Sequence, residues 1–171
     1  MSVRHRPNRR DADGFLPLAG YGVLGDGRSV ALSGADGSID WWCVPGMDSP
    51  PLFDRLLDAQ RGGYYAISPA APFEVERRYR EDSNVLETVF TTSLGQATLV
   101  ESLNSGAAGR QPWAELARRI EGVEGVVRFD VRIVFGRQGA IRLARTVRVS
   151  AVRTFFMRAA CWGFFCMVSA S

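Results

Sequence analysis

The chain has 171 residues, 46% of them hydrophobic and 23% charged, an ordinary globular composition long enough for one domain with one core. Its formal charge of +3 and pI near 9.0 come from arginine rather than lysine, and the arginines are spread along the chain. A nucleic-acid surface needs a concentrated basic face, so no nucleic-acid partner is expected.

Residues 1–14, MSVRHRPNRRDADG, offer no periodic apolar face that could offset the entropy of ordering, and they read as a flexible, disordered arm. The basic start runs into Asp11 and Asp13 without an apolar stretch, which argues against a secretion signal and for a cytoplasmic protein. The folded part begins near Phe15. Gly20 to Gly25, GYGVLG, matches G-x-G-x-x-G as a string, but Asp26, Gly27 and the strand-like RSVAL follow it. No helix is present to aim its N-terminal N–H groups at a pyrophosphate, so no dinucleotide cofactor is expected.

RSVALSG and SIDWWCVP flank Ala35, Asp36 and Gly37, where a tight hairpin turn wants positive φ. On the second strand the adjacent Trp41 and Trp42 point to opposite faces. One fills the core, and the other lies outside, where an indole packs against a neighbouring domain or stacks on a sugar ring. Ser49 as cap, Pro50 in the first turn, and Leu52, Phe53, Leu56 and Leu57 at helical spacing predict one short helix.

GYYAISP, FEVERRYR, VLETVFTTS and QATLVESL continue the strand series between turn residues. QPWAELARRIEG fits a helix by Trp113, Leu116 and Ile120, but the Gly- and Val-rich run after it favours a strand. In VVRFDVRIVF, Phe129, Val131, Ile133 and Phe135 share one face and Arg128, Asp130 and Arg132 the other. The sum is an all-β fold over residues 15–135, an antiparallel β-sandwich with one short helix, since each sheet must cover its apolar face with another layer.

Residues 136–171 differ from what precedes them. They hold six arginines and no acidic residue, end in an aromatic and cysteine-rich stretch, and lose the earlier alternation. Two readings stand open: a last strand, IRLARTVRVSAV, followed by an apolar tail, or non-native sequence from a truncated or shifted reading frame. FFMRAACWGFFCMVSAS is short and carries Arg158, so no membrane span is expected of it.

Catalytic equipment is sparse. Cys43, Cys161 and Cys166 are widely separated and the sole histidine, His5, lies in the arm, so neither a zinc set nor a Ser-His-Asp or Cys-His apparatus can be assembled. A glycosidase needs two carboxyl groups flanking the scissile bond. Asp36, Asp40, Asp48, Asp54 and Glu101 are available, but spacing brings no two of them face to face; Asp36 reads as a turn residue and Asp54 as the polar face of the helix. No catalytic residue, metal or cofactor is assigned.

YGVLGDGRSVALSGADGSIDWWCVPGMDSPPLFDRLLD, GGYYAISP, RRYREDSNVLETVFTTSLGQATLVESL and LARRIEGVEGVVRFDVRIVF, taken in that order, closely resemble the amino-terminal domain of bacterial glycoside hydrolase family 15 proteins, the glucoamylase and trehalase-like group. The resemblance implies a non-catalytic β-sandwich that precedes an (α/α)₆ barrel, where two glutamates hydrolyse α-glucosidic bonds, such as those of trehalose or a maltooligosaccharide, with inversion. That barrel is absent from these 171 residues. The resemblance also places Asp40, Trp41, Trp42, Pro45 and Asp48 in the family's signature segment, at a domain interface or the rim of the sugar site. Gly46 and Met47 stand where the family usually has an arginine and an aromatic, and the likeness ends after VFGRQGA, which favours a truncated or frame-shifted tail. The alternative function is a free-standing carbohydrate-binding or interaction module without activity.

Overall fold

A computed structural model describes residues 8–104 and 115–135, together with the backbone of three further strands within 145–170. After a short 3₁₀ turn at Leu18–Gly20 the chain is built from strands: β1 (Tyr21–Gly25), β2 (Val30–Gly34), β3 (Ser38–Cys43), β4 (Pro51–Phe53), β5 (Tyr64–Pro69), β6 (Phe73–Tyr79), β7 (Leu86–Thr92), β8 (Gly95–Asn104), β9 (Glu115–Gly125), β10 (Val127–Val134), β11 (Arg145–Ala151), β12 (Phe155–Ala160) and β13 (Met167–Ala170). One sheet runs in the order β1-β2-β3-β5-β10-β11, with β4 added to β3, and the other in the order β13-β12-β9-β8-β7-β6. Every pairing is antiparallel. The expected sandwich is therefore present.

Its core follows from the period of two. Leu24, Ala31, Trp42, Tyr65, Phe129 and Val131 of the first sheet face Leu86, Phe90, Leu99, Leu116 and Ile120 of the second in one buried cluster. Phe90 stands edge-on to both Phe73 and Phe129 with centroids 5.1 and 5.9 Å apart, a favoured aromatic geometry. QPWAELARRIEG resolves toward a strand, since β9 begins at Glu115; residues 111–114 lie outside the described residues. The predicted hairpin forms as well. Gly37 has φ +81°, and a Cβ there would stand 2.1 Å from the Ile67 carbonyl oxygen, so both the turn and the close approach of β5 require glycine.

The short helix does not form. Pro51–Phe53 is instead strand β4, paired with β3 through Trp42 and Phe53. Pro51 biases the residue before it toward extended backbone, and Phe53, only 1% exposed, is drawn into the core against Trp42, Tyr65 and Phe135. The helical spacing of Leu52, Phe53, Leu56 and Leu57 arises from a strand followed by a turn, and Leu57 stays 70% exposed.

The leader expected as an arm is anchored from Asn8 onward, where Arg10 reaches the first sheet; residues 1–7 lie outside the described residues. Of the two readings of residues 136–171, the last strand has a counterpart in β11, which pairs with β10 from Val127↔Ala151 to Ile133↔Arg145. Within Gly20–Gly25, Tyr21–Gly25 is strand β1 itself, and the chain turns back from it into its antiparallel neighbour β2 with no helix between them. Among the described residues no helix is long and apolar enough to cross a membrane.

Candidate functional site

Strand β3 carries the first three of the sequence candidates, and its register is irregular. Trp42 pairs with Ala31 and Trp41 with Leu32, but Ser33 pairs with Ile39, which leaves Asp40 as an extra residue, a β-bulge. The bulge explains how Ile39 and Trp42, three positions apart, both face the core. Trp42 is 1% exposed, donates its indole N–H to Ser29 Oγ at 3.0 Å and packs against Phe53. Trp41 takes the other face. There it is half-buried, in a cross-strand row with Leu32 and Val23 on the outside of the sheet.

Asp40 is fully buried, and its carboxylate is met by polar donors. Arg55 donates from Nε and Nη2 to Oδ1 at 2.9 and 2.6 Å, while Arg10 Nη2 and the Tyr21 hydroxyl donate to Oδ2 at 2.8 and 2.7 Å. The Asp40 carbonyl also accepts the Leu56 N–H. Burial alone would raise the carboxyl pKa, but Arg55, then Arg10, and the Tyr21 hydrogen bond outweigh it and hold the group below the usual carboxylate range. Burial and the same carboxylate push the Tyr21 phenol up. Arg55 is itself stacked 3.6 Å from the centroid of Tyr64.

With all four of its ordinary acceptor directions filled, Asp40 is neither a proton donor nor an accessible nucleophile. It organises what surrounds it. Pro45 and Asp48 lie elsewhere, exposed on the loop beyond the end of β3, where the Val44–Pro45 peptide is cis and the Met47 N–H donates to the Arg28 carbonyl at 3.1 Å. The five candidates thus form a strand followed by a loop and do not converge on a cleft. Among the described residues a groove of about 660 Å³ is lined by Ala70, Ala71, Thr92, Leu94, Gly125, Val126 and Arg128 at the opposite end of the sandwich.

Sequence reasoning missed the arginines. Inside the sandwich Glu101 is met by Arg118 Nε at 2.9 Å and Ser33 Oγ at 2.7 Å, and Arg118 goes on to the carbonyls of Tyr65 and Gly37 at 2.9 and 2.7 Å. Arg77 bonds the Gly20 and Ser33 carbonyls and Thr88 Oγ1 beside them. A signal for the central pair existed: Glu101 falls in phase with Ala97, Leu99 and Leu103, and Arg118 in phase with Leu116 and Ile120. Charges at core phase on neighbouring strands predict a buried pair, and the two are direct register partners. Asp36 is the turn residue expected, accepting the Ser38 N–H at 3.2 Å, and Asp54 closes the β4–β5 loop by accepting the Gly63 N–H at 2.6 Å. Among the described residues no group of three or more His, Cys, Asp or Glu side chains is placed to hold a metal ion.

The chain is 37% identical over 110 residues to a trehalase of Mycolicibacterium smegmatis, a span that is 61% of this chain and 15% of that protein. It is 36% identical over 80 residues to a trehalase of Thermoplasma volcanium, covering 46% of this chain and 13% of that protein, and 41% identical over 70 residues to Trehalase 2 of Sulfolobus acidocaldarius, covering 41% and 12%. The matches to these relatives therefore take in only about one-seventh of their length. No solved structure matches the chain. The family described as "Trehalase-like, N-terminal" matches residues 12–154, well past residue 135 and over most of the sequence, and the chain belongs to that family of trehalase-like N-terminal domains.

Proposed function

We propose that this chain is the non-catalytic β-sandwich portion of a cytoplasmic glycoside hydrolase family 15 protein of the trehalase and glucoamylase group. Complete members act on an α-glucoside such as trehalose or a maltooligosaccharide, and their chemistry belongs to a separate helical domain. One observation carries the reading: Asp40 and Glu101, the two most deeply buried carboxylates among the described residues, are both tied up by arginine. Neither can protonate a leaving oxygen or activate water, the two roles an inverting hydrolase divides between carboxyl groups.

What remains for the signature segment is contact. Trp41 on the outer face, and Pro45, Met47 and Asp48 on the exposed loop, are the surface that meets the helical domain or rims its sugar site. Tryptophan and methionine are favoured at such interfaces. The purified chain, incubated with trehalose and with maltose, should release no glucose and give no heat of binding in calorimetry. Glucose release that scales with protein would overturn the proposal. Binding heat without hydrolysis would move it to the free-standing carbohydrate-binding module.

A further inference from the structure

Residues 8–14 contribute no strand, yet Arg10 makes four hydrogen bonds. Its Nε donates to Asp36 Oδ2 at 2.9 Å, Nη1 to the Gly14 carbonyl at 3.0 Å, and Nη2 to Ser38 Oγ and Asp40 Oδ2, both at 2.8 Å. Upstream, Asn8 Nδ2 donates to the Phe73 carbonyl on the other sheet at 3.3 Å. Downstream, Asp11 closes a turn by accepting the N–H groups of Asp13 and Phe15. The segment crosses the outside of β3 and spans both sheets.

Its far side touches the loop between β4 and β5. Gln60 Nε2 donates to the Asp13 carbonyl at 3.2 Å, and a Cβ on Gly14 would stand 3.3 Å from the Ala59 Cβ. That loop is closed on itself, since Asp54 and Arg55 both donate their N–H to the Gly63 carbonyl. It is tied to the sheet through Arg55 and Leu56, both on Asp40. Leader and loop thus reach the same carboxylate, each with one arginine.

The two attachments differ in what stands behind them. No apolar side chain in residues 8–14 is buried; the first among the described residues is Leu16 at 5% exposure. A segment held by polar contacts alone opens at a small fraction of the global unfolding free energy. When it opens, Asp40 keeps Arg55 and Tyr21 and is not left as an uncompensated buried charge. The sandwich can therefore release its leader without unfolding.

We propose that residues 8–14 are a releasable strap, latched by Arg10 between Asp36 and Asp40, which crosses the outer side of β3 at Ser38 and Asp40 and braces the tip of the 54–63 loop. The full chain and its Arg10→Ala variant would be compared by hydrogen exchange read by mass spectrometry. Charge-assisted hydrogen bonds are the strong ones, so peptides covering 8–15 and 58–62 should exchange roughly tenfold faster or more in the variant, while β8, β9 and β10 exchange as before. Methylguanidinium, at millimolar levels far below denaturing ones, should bind saturably to the variant's vacated Asp36–Asp40 seat and not to the parent, with urea at the same concentration without effect. Unchanged exchange in 8–15, acceleration spread evenly through the sandwich strands, failure of the variant to fold, or identical methylguanidinium behaviour of the two proteins would each overturn the strap.

Discussion

Asp40 and Glu101 are equally deep, at 0% and 1% exposure, and both are held by arginine, but they join different things. Glu101 and Arg118 lie between the sheets, and through the Ser33 hydroxyl and the Tyr65 and Gly37 carbonyls they tie β8 and β9 to β2, β5 and the β2–β3 turn. Asp40 lies on the outside of β3 and ties the leader and the 54–63 loop to it. Depth therefore does not tell the role of a buried charge. The role follows from whether the joined elements have a core of their own: the two sheets do, and the leader does not.

The widest split between the two regions should come from Arg118→Ala. It strands Glu101 in the interior, where removal of one partner of a buried pair costs about 3–5 kcal/mol, a large share of a domain's stability. The urea midpoint of the whole chain should fall, with all probes moving together. Adding Glu101→Leu to Arg118→Met should restore part of the loss because no lone charge remains. Recovery should be incomplete, since the Gly37 and Tyr65 carbonyls and the Ser33 hydroxyl still lose their partner. Full recovery would show that those oxygens find other partners.

The same contrast accounts for what could be read from the sequence. The inner layer obeys alternation, so its strands, the Gly37 turn and the opposite facing of Trp41 and Trp42 were legible, and the Glu101–Arg118 pair was available to anyone who noted charges at core phase. The outer layer obeys no period. Arg10 sits in a stretch whose composition reads as an arm, and its value depends on Asp36 and Asp40, 26 and 30 residues away. Asp40 is displaced by a bulge, which a strict period of two cannot anticipate. The missing helix has the same cause: tertiary demand for Phe53 in the core overrides the local spacing around it.

Asp40→Asn should cost less than Arg118→Ala, roughly 2–3 kcal/mol, because Arg10 and Arg55 lie nearer the surface and can turn part of their charge to water. Its pH signature is distinctive. Asp40 titrates below its ordinary value in the folded chain, so its stabilisation is fully present above the unfolded carboxyl value and drains away as pH falls through the lowered folded value. Arg10 and Tyr21, both pushed up, keep their protons across that window, so the change there belongs to the carboxylate. Urea midpoints followed from neutrality down through the carboxylate range should show a shallower acid loss in Asp40→Asn than in the parent. Equal slopes would mean that Asp40 does not carry the acid sensitivity of this region.

The smallest effect belongs to a third carboxylate, Glu87, which looks well paired on distances alone. Arg80 and Arg78 donate to it at 2.6 and 2.8 Å and hold its pKa down, Arg80 first. Their side chains, however, are 50% and 75% exposed, on the outer side of the edge strand β6 and the turn after it, where water competes for every donor and salt screens the charge. Arg80→Ala should lower stability by less than about 1 kcal/mol, a loss that shrinks further in added salt, and Arg78 remains to meet the carboxylate. Similar distances thus carry different weight: at Glu101 the arginine has no solvent to return to, at Asp40 it has some, and at Glu87 it never left. A loss at Arg80 approaching that at Arg118, and insensitive to salt, would show that proximity rather than desolvation sets the strength of these pairs.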